Sequence, residues 1–378
     1  MTKPKALILS LIPVQNADVG FEAENRWTQD INAQVEQHSV TLLCPIEQHI
    51  APNFGLIDPR IQIAELADAD LRQLITQCDF VQLPGNYGWC TGAVARRLMR
   101  LAKSERKPVF LGISSDRAKT AWINRRKGPI GLAKGALRWL DVRLSQRLLA
   151  RRAAGVFVVG NGIVRLAKPN TNVHVSTASW ISSRDKIEPI NMRTDQTRIA
   201  CASRLDPMKG VEMGVRAVAQ LSEGNDAINL DIVGEGPELG RLKELVSRLG
   251  LQSATRFLGQ LSYPEQFLSY LRTVDLVLLT NLNDEQPRLI FDAISQGCFP
   301  ICPNSSPYVA LGLDRRVLYD RGDANAAAET ITRLLCMSKD ALQKVAEDLR
   351  KLAGQYTLEA MHERRAAWIA QTRSQQAS

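Results

Sequence analysis

The chain has 378 residues, more than one ordinary hydrophobic core accommodates, so two domains of roughly 150–200 residues are expected. Its 45% apolar and 23% charged residues exclude a disordered chain, and no apolar run nears the roughly 18 residues that span a bilayer. The net charge is +9, yet 17 Lys/Arg stand against three acids (Glu105, Asp116 and Asp141) between Arg96 and Arg152, so the rest is slightly acidic.

The start, MTKPKALILSLIPV, has the lysines and apolar run of a signal peptide. The polar QNADVGFEAEN that follows offers no small-residue cleavage site, so Ala6–Leu11 reads as a first buried strand and the protein as cytoplasmic. Short apolar runs then alternate with helix-period stretches. ALILSL, VTLLCP, FVQLPG, PVFLGIS and GVFVVGN are predicted strands of a first half; TRIACASR, INLDIVGEG, TRFLGQ, VDLVLLT and FPICP are those of a second. Near-continuous apolarity predicts parallel strands covered by helices on both faces. The expected architecture is α/β: two doubly wound parallel-sheet domains facing across a cleft, with ligands at the carboxyl ends of the strands. The polar stretch SSRDKIEPINMRTDQ separates them, giving residues 1–185 and 197–355. Residues 356–378 form an amphipathic helix, with Trp368 on its apolar side, expected to pack back on the first domain.

Seven cysteines occur without a C-x-x-C pair, and Cys298 and Cys302 have no histidine nearby to complete a zinc set; buried thiols in a reducing compartment are expected. The one D-x-D, Asp68 and Asp70, falls in a helix-like run and reads as solvated surface, so no metal site is expected.

Four signals follow in order in the second half. ASRLDPMKG puts Arg204 and Lys209 in a loop after a strand, with Gly210 opening the next helix. Two cations beside a helix amino end suit an anion, although for this motif standing alone a solvated pair is the better explanation, by roughly 3 to 1. LDIVGEGPELG puts Gly234 and Gly236 at a strand end, where glycine permits a tight turn and close approach to a ligand or merely close packing. TRFLGQLSYPEQ follows, and its loop Gly259, Gln260 and Leu261 can offer backbone groups to a nucleobase edge. Last comes NDEQPRLIFDAISQGCFPI, with one acid before a helix and another, Asp292, inside it.

Together these motifs (R-L-x-P-x-K-G, G-x-G-P, F-L-G, then acid-x-x-P-R-x-x-x-acid-A-x-x-x-G-x-x-P) resemble those of the retaining nucleotide-sugar glycosyltransferases of family four, the glycosyl transferases group 1 with the GT-B fold. The resemblance covers about residues 197–303 and is weak over the first half. It implies a metal-independent hexosyltransferase without a cofactor, using a UDP-, GDP- or ADP-linked donor and a glycan or lipid-linked acceptor in bacterial surface polysaccharide synthesis. Arg204 and Lys209 match the cations that neutralise the departing diphosphate, where preorganised charge is usually the largest catalytic effect. Asp284 and Asp292 match two glutamates, the first toward the transferred sugar and the second on the ribose hydroxyls; Gln286, Pro287, Arg288 and Leu289 lie between them on the donor side. Both positions depart from the family in carrying Asp, shorter in reach by roughly 1.5 Å, and Glu285 is put forward jointly with Asp284.

The resemblance assigns the acceptor to the first domain, where many relatives carry a histidine after a strand. The corresponding DFVQLPGNYGW offers Gln82 instead, and His38, His49 and His174 lie elsewhere. Gly20, Asn86 and Tyr87 are the acceptor-side candidates. The segment Arg96–Arg152 interleaves cations with Trp122, Trp139 and leucines; it suits peripheral binding to an anionic membrane at the inner face, or else the charged outer face of a core-facing helix. No nucleic-acid partner is expected, since no reading motif accompanies the charge. Two other readings stand beside sugar transfer: a degenerate nucleotide-sugar-binding protein and a GT-B nucleotide-sugar epimerase.

Overall fold

The computed structural model describes residues 2–48, 54–89, 91–123, 125, 128–190, 192, 196–223, 227–286 and 288–377. They form two compact units, Met1–Thr177 with Leu358–Ser378, and Ala178–Thr357.

In the first unit the chain runs β1 (Lys5–Leu9), β2 (Gln15–Asn16), β3 (Phe21–Glu24), α1 (Asn25–Ala33), β4 (Ser39–Cys44), β5 (Phe54–Leu56), β6 (Gln62–Glu65), α2 (Leu71–Gln77) and β7 (Phe80–Pro84). It continues as α3 (Ala93–Ser104), β8 (Val109–Ile113), α4 (Arg117–Ile123), α5 (Pro129–Arg152), β9 (Gly155–Val159) and β10 (Val173–Ser176). Seven of these strands form one parallel sheet in the order β10-β9-β8-β7-β1-β4-β6. The apolar strands are covered on both faces, as their composition requires: Leu7, Leu43, Val81 and Leu111 lie in one core layer, Ala6, Val40, Phe80 and Phe110 in the other. The remaining strands, β2, β3 and β5, form a small antiparallel sheet, a departure from the all-parallel expectation. Asp68 and Asp70 are exposed, as expected, but neither lies inside a helix. Asp68 precedes α2, and Asp70 caps it by accepting from the backbone N–H groups of Arg72 and Gln73.

In the second unit the order is β11 (Thr197–Ala202), α6 (Val211–Leu221), β12 (Ile228–Val233), α7 (Leu239–Arg248), β13 (Thr255–Gly259), α8 (Glu265–Leu271) and β14 (Leu276–Leu278). Then come α9 (Leu289–Ser295), β15 (Phe299–Pro303), α10 (Ser306–Val309), β16 (Leu318–Tyr319), α11 (Ala324–Leu335) and α12 (Lys339–Gln355). The parallel sheet is ordered β13-β12-β11-β14-β15-β16. The register of β12 against β13 slips between Ile232 and Val233, so that Val233 pairs with Gly259 and both strands finish level. In the middle of β12 the Asp231 carboxylate is fully buried, held by two Arg256 donors at 2.7 Å and by the Tyr270 hydroxyl at 2.9 Å.

The last helix, α13 (Leu358–Ala377), belongs to the first unit. Its Trp368 packs edge-on to Phe110, stacks on His174 and donates its indole N–H to Asn172. His38 is buried beside Phe80, whereas His49 lies outside the described residues. Five of the six described cysteines are buried thiols, as expected; Cys336 is exposed instead, at the carboxyl end of α11.

Candidate functional site

The loops at the carboxyl ends of β11, β12, β13 and β14 are stitched to one another by backbone contacts. After β11 a short turn, Pro207–Lys209, is capped by Asp206, which accepts from the Met208 N–H. Arg204 extends into solvent with 77% of its side chain exposed, and its guanidinium meets Asp206 Oδ2 at 3.1 Å. Lys209 is followed by Gly210 in the left-handed region at φ 62°, where a Cβ would lie 2.5 Å from the Thr280 carbonyl. Only glycine meets both demands. The Thr280 hydroxyl donates to Lys209 O at 2.5 Å, and Leu282 N–H donates to Met208 O at 2.9 Å. The cation loop and the loop carrying Asp284 are therefore spliced side by side, because β11 and β14 are neighbours in the sheet.

Gly234 and Gly236 use their lack of a side chain for packing: added Cβ atoms would stand 2.0 Å from Ser203 O and 2.4 Å from Leu205 O. Leu205 N–H reaches Glu235 O and Gly234 N–H reaches Gly259 O, which carries the same rim onward to β13. Gln260 is exposed and Leu261 partly so. Two residues further on, the Tyr263 hydroxyl donates to Asp292 Oδ1 at 3.3 Å. Asp292 sits in the first turn of α9 and is buried.

Asp284 accepts from Arg321 Nη1 at 2.6 Å, Arg321 arriving from the loop after β16. Glu285 follows it; among the described residues the Nε2 of the buried Gln286 next to it has no hydrogen-bond partner, nor has Asn283 Nδ2. Arg288 caps α9, which begins at Leu289, and lays its guanidinium 4.2 Å from the ring centre of Trp180. Pro287, expected on the donor side, lies outside the described residues. Arg321, Tyr263 and Trp180 escaped the sequence reading. The first had a usable signal, since YDRGD puts a cation in a polar loop just past a strand, as at Arg204.

A cavity of about 330 Å³ adjoins this rim, between Gly210, Glu212, Arg216, Glu238, Arg241 and Leu282. Arg204, Lys209, Asp284 and Asp292 do not line it, so the candidate site is the open rim itself.

In the first unit Gly20 occupies the β2–β3 turn at φ 79° with open space around it. Asn86 and Tyr87 follow β7. The Ser114 hydroxyl donates to the Asn86 amide oxygen at 2.6 Å, the Asn86 amide nitrogen donates to Ser115 O at 3.2 Å, and Arg117 stacks 4.6 Å over Tyr87. No contact joins Gly20 to this pair among the described residues.

Two parallel-sheet α/β units with this topology define the GT-B class of fold. Anabaena HepE, in a crystal structure with UDP and glucose, matches at TM-score 0.65 and 15% identity, over 97% of this chain and 100% of that one. Sucrose-phosphate synthase from Thermosynechococcus elongatus matches at TM-score 0.71 and 15% identity, over 98% and 99%. Residues 182–352, nearly all of the second unit, match the family described as glycosyl transferases group 1. In sequence, an alpha-monoglucosyldiacylglycerol synthase of Streptococcus pneumoniae is 22% identical over 120 residues, 32% of this chain and 27% of that synthase's length.

Proposed function

We propose that the chain is a retaining, metal-independent glycosyltransferase moving a sugar from a nucleoside-diphosphate donor to a glycan or lipid-linked acceptor. The observation carrying this reading is the splice of the Arg204–Gly210 loop onto the Thr280–Asp284 loop, through Thr280 to Lys209 and Leu282 to Met208. This splice supports a site in which the cations of the first loop and the amino end of α6 share one rim with a carboxylate suited to sugar hydroxyls.

In the proposed step the bond from the anomeric carbon to the diphosphate oxygen breaks and its electron pair stays on phosphate. Arg204 and Lys209 receive the charge that develops there. The acceptor hydroxyl attacks from the same face, forming the new glycosidic bond, and its proton passes to the departing phosphate oxygen. No protein nucleophile is needed. Asp284, steadied by Arg321, with Glu285 beside it, orients the sugar; Asp292, in contact with Tyr263, orients the ribose. The HepE complex with UDP and glucose and the lipid product named for the pneumococcal synthase agree with this choice of donor and acceptor.

Thermal melts with UDP-, GDP- and ADP-sugars test the reading. A donor at a hundredfold over its Kd should add about 2.7 kcal/mol of stability. One base should be preferred, slow donor hydrolysis should accompany binding, and Arg204→Ala should lose both. A second reading has one observation in its favour: Asp284 is shorter than glutamate and already engaged by Arg321, as a binding protein without turnover would allow. Stabilisation by donor without hydrolysis or transfer would select it. An epimerised nucleotide sugar in the same assay would select the epimerase.

A further inference from the structure

Helix α5 has an apolar side on each of two opposite faces, and only one of them is covered. Each residue turns an α-helix by about 100°. Gly135, Val142, Ser145, Gln146 and Leu149 fall along one line and are buried in the first unit. Ala133, Leu137, Leu140 and Leu144, spaced four, three and four apart, fall on the far side and are exposed, Leu137 at 69% and Leu144 at 55%. Ile130 extends this side, and Leu132 and Trp139 form a second exposed row seven residues apart. A helix that merely covers a core carries polar residues there.

The chemistry around the stripe identifies what it meets. The same helical line continues from Leu144 into Arg147 and Arg151, both exposed, and Lys134 and Arg138 are exposed beside it. Trp122 of α4 is exposed nearby with Arg125 stacked 4.1 Å over its ring. Leucines framed by cations and tryptophans suit the boundary between acyl chains and anionic headgroups: the apolar groups enter, the long cationic side chains reach back to phosphate, and indoles favour the interface. No described helix is long and apolar enough to cross a membrane. We infer that α5 lies flat on an anionic lipid bilayer and docks the first unit there through Leu137, Leu140 and Leu144.

The covered side of α5 gives docking a consequence for the acceptor-side loops. Asp141 Oδ1 accepts from Trp89 N–H at 2.8 Å, and a Cβ on Gly88 would fall 1.9 Å from Asp141 Oδ2. Gln146 donates to Gly85 O at 3.2 Å, and Arg143 donates to both oxygens of Asp116 at 2.9 and 2.8 Å. Asp141, Arg143 and Gln146 of α5 thus hold the loops after β7 and β8, including the stretch that carries Asn86 and Tyr87. Docking would bring these loops to the headgroup layer, where a lipid-linked acceptor presents its polar end.

The inference rests on the first unit alone and stands or falls apart from the donor reading, which the nucleotide melts test in the second. Full-length protein is floated with vesicles of phosphatidylcholine alone and of phosphatidylcholine with phosphatidylglycerol. Binding is expected only to the anionic vesicles, and weaker as NaCl rises from ~0.1 to ~0.5 M. The triple change Leu137→Ser, Leu140→Ser and Leu144→Ser should weaken it about tenfold or more with the melting temperature retained, as should Arg147→Gln with Arg151→Gln. No flotation, or equal flotation with both vesicle types, overturns the inference. So does a concentration-dependent dimer that the triple serine change abolishes in the absence of vesicle binding; it would assign the stripe to a second copy of the chain.

Discussion

Arg321 Nη1 donates to Asp284 Oδ1 at 2.6 Å, a pair that bridges the loops after β16 and β14 and is only partly exposed on either side. A partly exposed ion pair stabilises a fold by at most about 1 kcal/mol. Its effect on position is a different matter: on the proposed reading it fixes the carboxylate that orients the sugar, one methylene short of the glutamate that the resemblance implies. Catalytic geometry misplaced by about 1 Å costs on the order of a hundredfold in rate. Arg321→Ala is therefore expected to lower turnover about a hundredfold while shifting stability by no more than about 1 kcal/mol, with Arg321→Lys partly restoring the rate. Transfer or donor hydrolysis, measured beside a thermal melt, checks this. Unchanged turnover would mean the pair does not position Asp284.

The rim glycines give a prediction about folding alone. At Gly234, φ is 125° and a Cβ would sit 2.0 Å from Ser203 O, so Gly234→Ala must move backbone as well as strain it. A loss of about 2–4 kcal/mol is expected. Gly240, in the first turn of α7, has nothing within 4 Å of a Cβ, and alanine there should add about 0.5–1 kcal/mol by the ordinary helix preference. Denaturant titration of both variants tests the contrast. Equal effects would mean the loops after β11 and β12 are not packed as closely as these distances require.

Much of this site is legible in the sequence because it follows strands. An apolar run that stops at a glycine or a charge marks a carboxyl edge, and so local pattern alone puts Arg204, Lys209 and Gly234 on their loops and Gly259 at the end of its strand. What local pattern does not carry is pairing at long range. Arg321 is 37 positions from Asp284, and Tyr263 is 29 from Asp292. Neither contact has a periodic signal. The antiparallel β2–β3–β5 sheet escaped for another reason: its strands have two to four residues, too few to show alternation. In α5 the sequence left two readings open, and only packing shows which apolar side is covered.

Asp231 shows an asymmetry that mutation should expose. Its carboxylate is fully buried, while Arg256 keeps about half its side chain in solvent. Removing Arg256 leaves a buried charge with only Tyr270 at 2.9 Å and the more distant Arg198 at 3.9 Å. Removing the carboxylate frees an arginine that can turn to water. Arg256→Ala should thus cost more than Asp231→Asn, about 3 kcal/mol or above against roughly 1–2, and Asp231→Leu with Arg256→Met should recover part of the loss. Denaturant midpoints of the three variants check the order, and a larger cost for Asp231→Asn would contradict it.

The first unit should lose stability in mild acid through its buried histidines. Burial, aided by the cations Arg365, Arg373 and Lys3 and by His362, lowers the His38 pKa from 6.5 to about 4. Burial and Arg365 with Arg364 do the same for His174, also to about 4. An unfolded chain takes up these protons as the pH falls through about 6.5, whereas the folded unit refuses them until about 4. The favourable contribution of neutral burial is therefore complete above about pH 6.5 and is lost progressively on the way down to 4. For His38, buried against Phe80, the loss is on the order of 3 kcal/mol. His38→Leu keeps an apolar group there and removes the titration. Its melting temperature should therefore lie near that of the parent at pH 7.5 and above it at pH 5. The same difference between variant and parent at both pH values would show instead that the folded unit lets His38 take up its proton as readily as the unfolded chain does.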